Sequence, residues 1–228
     1  MYKLISWNLN SIRKRYNHLK YLLDTYDPDF CLLQETRVMP EKYPHLPNYY
    51  NYICADDSRN GVSIISKHEL EVENILPGRI MCATFNKANI VNVYLPSGFS
   101  AQSSVEHKKE CFRLLIEKFS NKPLTLIGGD FNIVYKNTEL TIPNPYEVTE
   151  IEIFQHFEKY FHETTNEQHI TWWDYRYNAF QRNLGLGLDK VFLSKDLTPT
   201  NMTILKNFRA MEEPSDHAPI LINFTLSN

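Results

Sequence analysis

Polar side chains suited to phosphate chemistry recur at the ends of short apolar runs: Asn8, Glu35, Asp130 with Asn132, Asp189, and Ser215-Asp216-His217. Carboxylate and amide oxygens are the donors that a hard divalent ion such as Mg2+ prefers, and such an ion accepts few protein ligands. A carboxylate beside the ion can take a proton from water, and an imidazole can stabilise charge building on a phosphate. The set therefore points to metal-assisted phosphoryl transfer. No Walker loop, GxSxG elbow or Cys/His zinc spacing competes for the role. Each cluster has a plain reading as well: Asn8 and Asn10 as turn formers, Glu35 as a surface carboxylate, Asp189 as a strand-edge charge, Ser215 to His217 as a loop. Their order and their contexts together favour the chemical reading.

The elements that must position these groups follow from periodicity. Leu124 to Ile127 is a short apolar run between Pro123 and the pair Gly128-Gly129, which predicts a buried strand ending in a sharp turn that presents Asp130 and Asn132. Tyr2 to Trp7 predicts a strand ending at Asn8. Ile12, Tyr16, Leu19, Leu23 and Tyr26 then mark one helix face, closed by Asp27-Pro28-Asp29. Phe30 to Leu33 predicts the next strand, with Glu35 just past it. Gly61 to Ser66, Glu71 to Leu76, Ile80 to Phe85 and Asn89 to Leu95 suggest an antiparallel meander. Ser103 with Glu106, and Thr149 with Glu152, fit capping boxes opening two helices, the second carrying Phe154, Phe157 and Phe161. Leu188 to Leu193, Asn201 to Leu205 and Pro219 to Phe224 predict the last strands. Val134 to Val148 reads as turn-like, with Pro143 and Pro145.

The chain has 228 residues, 43% hydrophobic and 22% charged, which suits one large soluble domain over residues 1–228. Acidic residues number 27 and basic residues 24, so any polyanion site must be a local patch. Lys3, Arg13, Lys14, Arg15 and Lys20, with no acid in the first 20 residues, offer one; a solvated helix face explains the run equally well. Cys31, Cys54, Cys82 and Cys111 lack CxxC spacing and read as small core residues of a reducing compartment. With neither a signal pattern nor a membrane-length apolar run, the expected location is intracellular and cytoplasmic, nucleoid-associated in a bacterium.

Ile5-Ser-Trp-Asn8, Leu32-Leu-Gln-Glu-Thr36, Asn92-Val-Tyr-Leu-Pro96, Gly129-Asp-Phe-Asn132, Trp172-Trp-Asp-Tyr-Arg176, Leu188-Asp189 and Pro214-Ser-Asp-His-Ala-Pro219 stand in an order that resembles the exonuclease III / apurinic-apyrimidinic endonuclease branch of the endonuclease/exonuclease/phosphatase superfamily. The resemblance runs from residue 2 to about residue 225. The Asp-Phe-Asn and Ser-Asp-His pieces mark the superfamily broadly. The tryptophan motif, with Asn183 and Leu188-Asp189 behind it, is narrower.

The resemblance implies an α/β fold, a four-layer αββα sandwich with two packed mixed β-sheets and the active site at one end. It implies a Mg2+-dependent DNA repair nuclease, with Mn2+ as substitute ion, that cleaves 5′ to abasic sites. It further implies 3′-phosphodiesterase, 3′-phosphatase and 3′→5′ exonuclease activity. The partner would be double-stranded DNA with abasic sites or damaged 3′ ends, met by a monomer. By matched position, Glu35 with Asn8 and Asp216 would hold the metal. Asp130 would activate water and Asn132 position it. His217, paired with Asp189, and Tyr94 would contact the scissile phosphate. Arg176 and Asn183 fall at substrate-binding positions, and Trp172, Leu186 and Leu188 would line a pocket for a base-free sugar. Trp172 and Trp173 are also what a core strand would carry. One metal and two metals both fit the pattern.

The chain departs from the pattern at Ser11, where relatives carry glycine, at Gly187, where they carry arginine, and in the shortness of the segment after Asn132. The lost arginine and the short segment imply a weaker or more selective grip on DNA. They leave room for an alternative: a phosphodiesterase of the same fold acting only on blocked 3′ ends or on RNA. A non-catalytic DNA-binding module would have lost some of Glu35, Asp130, Asn132, Asp189 and His217, and all are present.

Overall fold

Apolar runs separated by turn residues become strands, and the computed structural model joins them into two six-stranded mixed sheets and one two-stranded ribbon. It describes residues 1–56, 60–97, 102–136, 140–143, 145–146, 148–164 and 169–226, with the side chains of 102, 103 and 200 left aside. The first half runs β1 (Tyr2–Asn8), α1 (Ile12–Tyr26), β2 (Phe30–Gln34), β3 (Tyr50–Cys54), β4 (Val62–Ser66), β5 (Glu71–Leu76), β6 (Ile80–Phe85) and β7 (Ala88–Tyr94). The second runs α2 (Gln102–Phe119), β8 (Thr125–Asp130), α3 (Val148–Phe157), β9 (His162–Glu163), β10 (Trp172–Trp173), β11 (Gly185–Leu186), β12 (Asp189–Leu193), β13 (Pro199–Ile204) and β14 (Ile220–Phe224).

One sheet has the order β13-β14-β1-β2-β4-β3, the other β5-β6-β7-β8-β12-β9. Each contains one parallel pair, β1 with β2 and β7 with β8, and in each the crossover is a helix. A parallel pair needs such a crossover, and the helix covers the sheet face it crosses. Accordingly α1 lays Ile12, Leu19 and Leu22 against Ile5, Trp7, Cys31 and Leu33 on the outer face of the first sheet. α2 and α3 bring Phe112, Leu115, Phe154 and Phe157 to the outer face of the second, against Phe131 and Phe192. The inner faces meet through Leu4, Phe30, Leu32 and Ile64 on one side and Met81, Ile90, Leu126 and Val191 on the other. The result is the expected αββα sandwich. No described helix is long and apolar enough to cross a membrane.

A buried polar bridge links the sheets inside this core. Gln34 Nε2 donates to Asn92 Oδ1 at 2.8 Å, and Asn92 Nδ2 donates to the backbone oxygens of Leu33 and Ser63. These directional bonds tie β2 to β7 across the core and help fix how the sheets meet, although Gln34 Oε1 is buried without a partner of its own.

Some expectations change. β4 is not part of a meander with its successors: it is buried along its whole length between β2 and β3, while β5, β6 and β7 form the antiparallel run of the other sheet. Periodicity reads strands but not the sheet each one joins. α3 begins at Val148, which puts Thr149 inside the first turn and not ahead of it. The capping box at Ser103 lies outside the described side chains. The helix stop at Asp27 holds: that residue is left-handed with φ 45° and its N–H caps Leu23. All four cysteines are free and buried.

Candidate active site

The end of β1, the residue after β2, the end of β8 and the start of antiparallel β12 come together at one end of the sandwich. Asn8 is the last residue of β1, and its Nδ2 donates to Glu35 Oε1 at 3.0 Å and to Asp130 Oδ2 at 2.8 Å. One amide thus joins two carboxylates that belong to different sheets. Asn8 also accepts from the Asn10 N–H through Oδ1, and its carbonyl accepts from Ser215 Oγ. The turn after β2 gives Glu35 a left-handed φ of 48° and lets Arg37 hold its second oxygen through Nε at 2.9 Å.

Gly129 explains how β8 reaches the site. Its φ is 149°, and a Cβ there would stand 1.9 Å from the Val93 carbonyl oxygen, so only glycine allows β8 to pass β7 this closely. Asp130 follows, 1% exposed. Its Oδ1 accepts the Asn132 N–H at 2.9 Å, and Asn132 Nδ2 is shared between Asp130 Oδ2 at 3.1 Å and the Leu95 carbonyl at 3.0 Å. Asn132 is left-handed, φ 48°, a conformation that asparagine accepts more readily than most residues. Phe131 points the other way into the core, as packing.

Asp189 is the cross-strand partner of Asp130. His217 lies between them, with Nδ1 2.7 Å from Asp189 Oδ2 and Nε2 3.9 Å from Asp130 Oδ2. Burial works to strip His217 of its proton, but the Asp189 carboxylate, with Asp130 and Asp216 beyond it, outweighs burial and pushes the pKa up to about 10. Burial pushes the Asp130 carboxyl up to about 7; His217 opposes the rise, and Asp189 and Glu35 add to it. An imidazolium between two carboxylates, one in contact and one a step away, can serve an anion arriving from outside.

Tyr94 is the parallel-strand partner of Asp130, and burial, with Glu35 and Asp130 nearby, holds its phenol above the usual range. The Arg79 guanidinium lies over its ring at 4.6 Å. Asp216 does not bond Glu35 directly; it accepts from Asn10 Nδ2 at 2.9 Å and from Trp172 Nε1 at 3.0 Å. Burial would raise Asp216, but His217 and these two donors hold its carboxyl below the usual range.

The adjacent tryptophans divide the two expected roles. Trp173 is fully buried against Ala179 and Phe180, whereas Trp172 is half-buried and faces Asp216. Leu186, the pairing partner of Trp172, and Leu188 are 0% and 4% exposed, so both stand within the core behind Trp172 and not on an open surface. Asn183 accepts from Trp173 Nε1 at 3.3 Å, and Arg176 pairs with Asp174 on the exterior. These two residues are not drawn into the carboxylate cluster.

Sequence reasoning passed over several supporting groups. Asn10, read only as a turn former, holds Asp216. Arg15, read as part of a basic run, is buried and donates to the carbonyls of Asn10 and Pro214 and to Tyr175 Oη. Thr171 Oγ1 accepts the Asp189 N–H, and His169 Nε2 lies 2.6 Å from the Asp189 carbonyl oxygen. Burial and Lys190 bring His169 down to about 4, so its ring is neutral at pH 7. Ser11, at φ 92°, sits where glycine would be unstrained.

The donor set fits a hard cation. Carboxylate oxygens of Asp130 and Asp189 lie within 4.8 Å of each other, and Glu35 adjoins Asp130 through the Asn8 amide; His217, as an imidazolium, has no lone pair to add. Asp189 Oδ1 is buried without a hydrogen-bond partner, an orphan that a bound group or ion would satisfy. Oxygen donors dominate, and no thiolate is among them.

Residues 5–217 match the model of the Endonuclease/Exonuclease/phosphatase family. The chain belongs to that family: it is an enzyme of the nuclease and phosphodiesterase kind. Within the family it stands in the exonuclease III branch. It is 28% identical to exodeoxyribonuclease III of Haemophilus influenzae, over 97% of this chain and 99% of that one. With the DNA repair nuclease APEX1 of Danio rerio it shares 28% identity over 96% of this chain and 81% of that one. Among solved structures, a 3′ phosphatase from Neisseria bound to a product DNA hairpin superimposes with TM-score 0.90 at 23% identity, over 99% of this chain and all of that one. An AP endonuclease from Archaeoglobus fulgidus does so with TM-score 0.90 at 24% identity and the same coverage.

Proposed function

We propose that the chain is a single-domain, monomeric, Mg2+-dependent DNA repair nuclease. It cleaves the phosphodiester 5′ to abasic sites in double-stranded DNA, and processes damaged 3′ ends as a 3′-phosphodiesterase, 3′-phosphatase and 3′→5′ exonuclease. The observation that carries the reading is the hydrogen-bonded row Glu35–Asn8–Asp130, closed by His217 and Asp189. The names of the relatives, which include exodeoxyribonucleases and a DNA repair nuclease, support it.

In this reading Glu35, with Asn8 and Asp216, holds the ion. When bound there, Mg2+, or Mn2+ in its place, neutralises phosphate charge and polarises the bond to be cleaved. Asp130, desolvated and poised near neutrality, takes a proton from the attacking water. The amide of Asn132, anchored on Asp130 and the Leu95 carbonyl, orients that water. His217 stays protonated at pH 7 and places a cation against the scissile phosphate, while Asp189 keeps its ring oriented and charged. Tyr94 donates to the same phosphate. Trp172, with Leu186 and Leu188 behind it, offers a flat apolar wall to a base-free sugar, and Arg176 and Asn183 meet DNA farther out. Extruding a nucleotide costs a few kcal/mol, least where pairing is already lost, which favours abasic sites.

Incubating the protein with a duplex carrying one tetrahydrofuran abasic analogue, in Mg2+ and then in EDTA, tests the proposal. Incision in Mg2+ that stops in EDTA is the expected result. No metal-dependent incision and no processing of blocked 3′ ends would sink it. The short segment after Asn132, together with the structural likeness to a 3′ phosphatase, favours one second reading, confined to blocked 3′ termini or RNA. Strong 3′-end trimming without abasic incision would select it.

A further inference from the structure

We infer that Lys108 of α2 is a positioning residue for the site, tying the backbone of Asn132 to α2 and α3 and so setting the Asp130–Asn132 turn. The inference rests on the role given to Asn132 above. Lys108 Nζ donates to the Asn132 carbonyl at 2.9 Å and to Glu150 Oε1 of α3 at 2.6 Å. Both charged side chains are taken out of water, at 3% and 0% exposure, and the ammonium also lies 4.9 Å from the Tyr146 ring centre.

A buried ion pair is a poor way to stabilise a fold. Its desolvation cost often cancels its attraction, and apolar replacements of similar volume are commonly neutral or stabilising. What the pair does supply is direction. The N–H of Asn132 is on Asp130, its Nδ2 is on Asp130 and Leu95, and only its carbonyl side faces away from the cluster. Lys108 fixes that remaining handle. Asn132 is left-handed, and the chain after it passes through buried Ile133 and Val134. The brace comes from behind, through α2 and α3. A charge-assisted bond to the carbonyl resists rotation of the Asn132–Ile133 peptide, and with it any swing of the Asn132 amide away from Asp130.

The pair of variants Lys108→Met and Glu150→Leu, made together, removes the brace without leaving a buried charge. The expected melting temperature is at or above that of wild type. The expected kcat on the abasic duplex is about 10- to 100-fold lower with KM within about twofold, the signature of misplaced catalytic groups and not of lost binding. The side-chain amide resonances of Asn132, labelled with 15N, are expected to shift and to exchange faster. A folded double variant with wild-type kcat and unmoved Asn132 signals overturns the inference. A lowered melting temperature with unchanged kcat and Asn132 signals also overturns it, leaving Lys108 as packing alone. Should the wild-type protein incise no abasic duplex, the functional reading fails, and the Asn132 signals by themselves decide whether Lys108 holds the turn.

Discussion

Asp130 and Asp189 are directly opposed cross-strand partners on β8 and β12. Like charges in that relation repel by an amount comparable to the gain from a good cross-strand pair, roughly 0.2–1 kcal/mol at a surface and more when buried. The fold tolerates them because His217 brings a cation to Asp189 and because Asp130 is held close to its protonation point. One carboxylate is committed to the imidazole. The other is left to gain or lose a proton.

Replacing Asp130 by asparagine keeps the volume and removes the proposed base. The expected loss is about 10²- to 10⁴-fold in kcat, with the melting temperature unchanged or raised, because a desolvated carboxyl is removed. Steady-state incision with thermal melting checks it. A variant with full activity would contradict the assignment.

The pH profile of kcat/KM should be a bell. In the proposed mechanism Asp130 must be ionised, so activity rises as pH climbs through about 7. His217 must be protonated, so activity falls as pH climbs through about 10. Asp189 is the chief group raising His217 against burial, so Asp189→Asn should draw the alkaline limb down toward the ordinary histidine range. An alkaline limb that stays in place in the variant would refute the pairing as its cause.

Glu35→Ala should shift the Mg2+ titration. Loss of groups that merely orient a ligand costs about 10- to 100-fold in metal affinity, and loss of the carboxylate itself should cost no less. Activity measured against Mg2+ concentration, with direct calorimetric titration, reads the shift. Identical curves for variant and wild type would remove Glu35 from the metal set.

Gly129→Ala tests the strand junction. The added methyl meets the Val93 carbonyl and demands a strained φ, so the expected cost is about 2–4 kcal/mol of stability, read by chemical denaturation. Wild-type stability would show that β7 and β8 can part without penalty.

Much of this was legible in the residues. The strands ending at Asn8 and Asp130 are apolar runs with clear stops, and the α1 face follows its spacing. β3 carries no clear period, because Tyr50 is exposed, Asn51 to Ile53 are only partly buried, and the run lacks a clean alternation. β9, β10 and β11 are two residues long, too short for any period. Sheet membership was not legible either: β4 and β5 are near neighbours in sequence but belong to different sheets. In the site, residue types named the chemistry, but only geometry could separate Trp172 from Trp173 or send Asp216 to Asn10 and Trp172. Adjacent strand residues face opposite ways, and sequence alone does not say which way is inward.

Asn8 carries a consequence for how the protein fails. Its amide clasps Glu35 from one sheet and Asp130 from the other, so the proposed catalysis depends on the registry between the sheets as well as on their integrity. A slip of one layer over the other by a fraction of an ångström would part the carboxylates while leaving each sheet intact. In mild urea, incision should therefore fade before circular dichroism records any loss of strand. The nuclease would fall silent while still folded, which is a safe way for an enzyme that cuts DNA to break down.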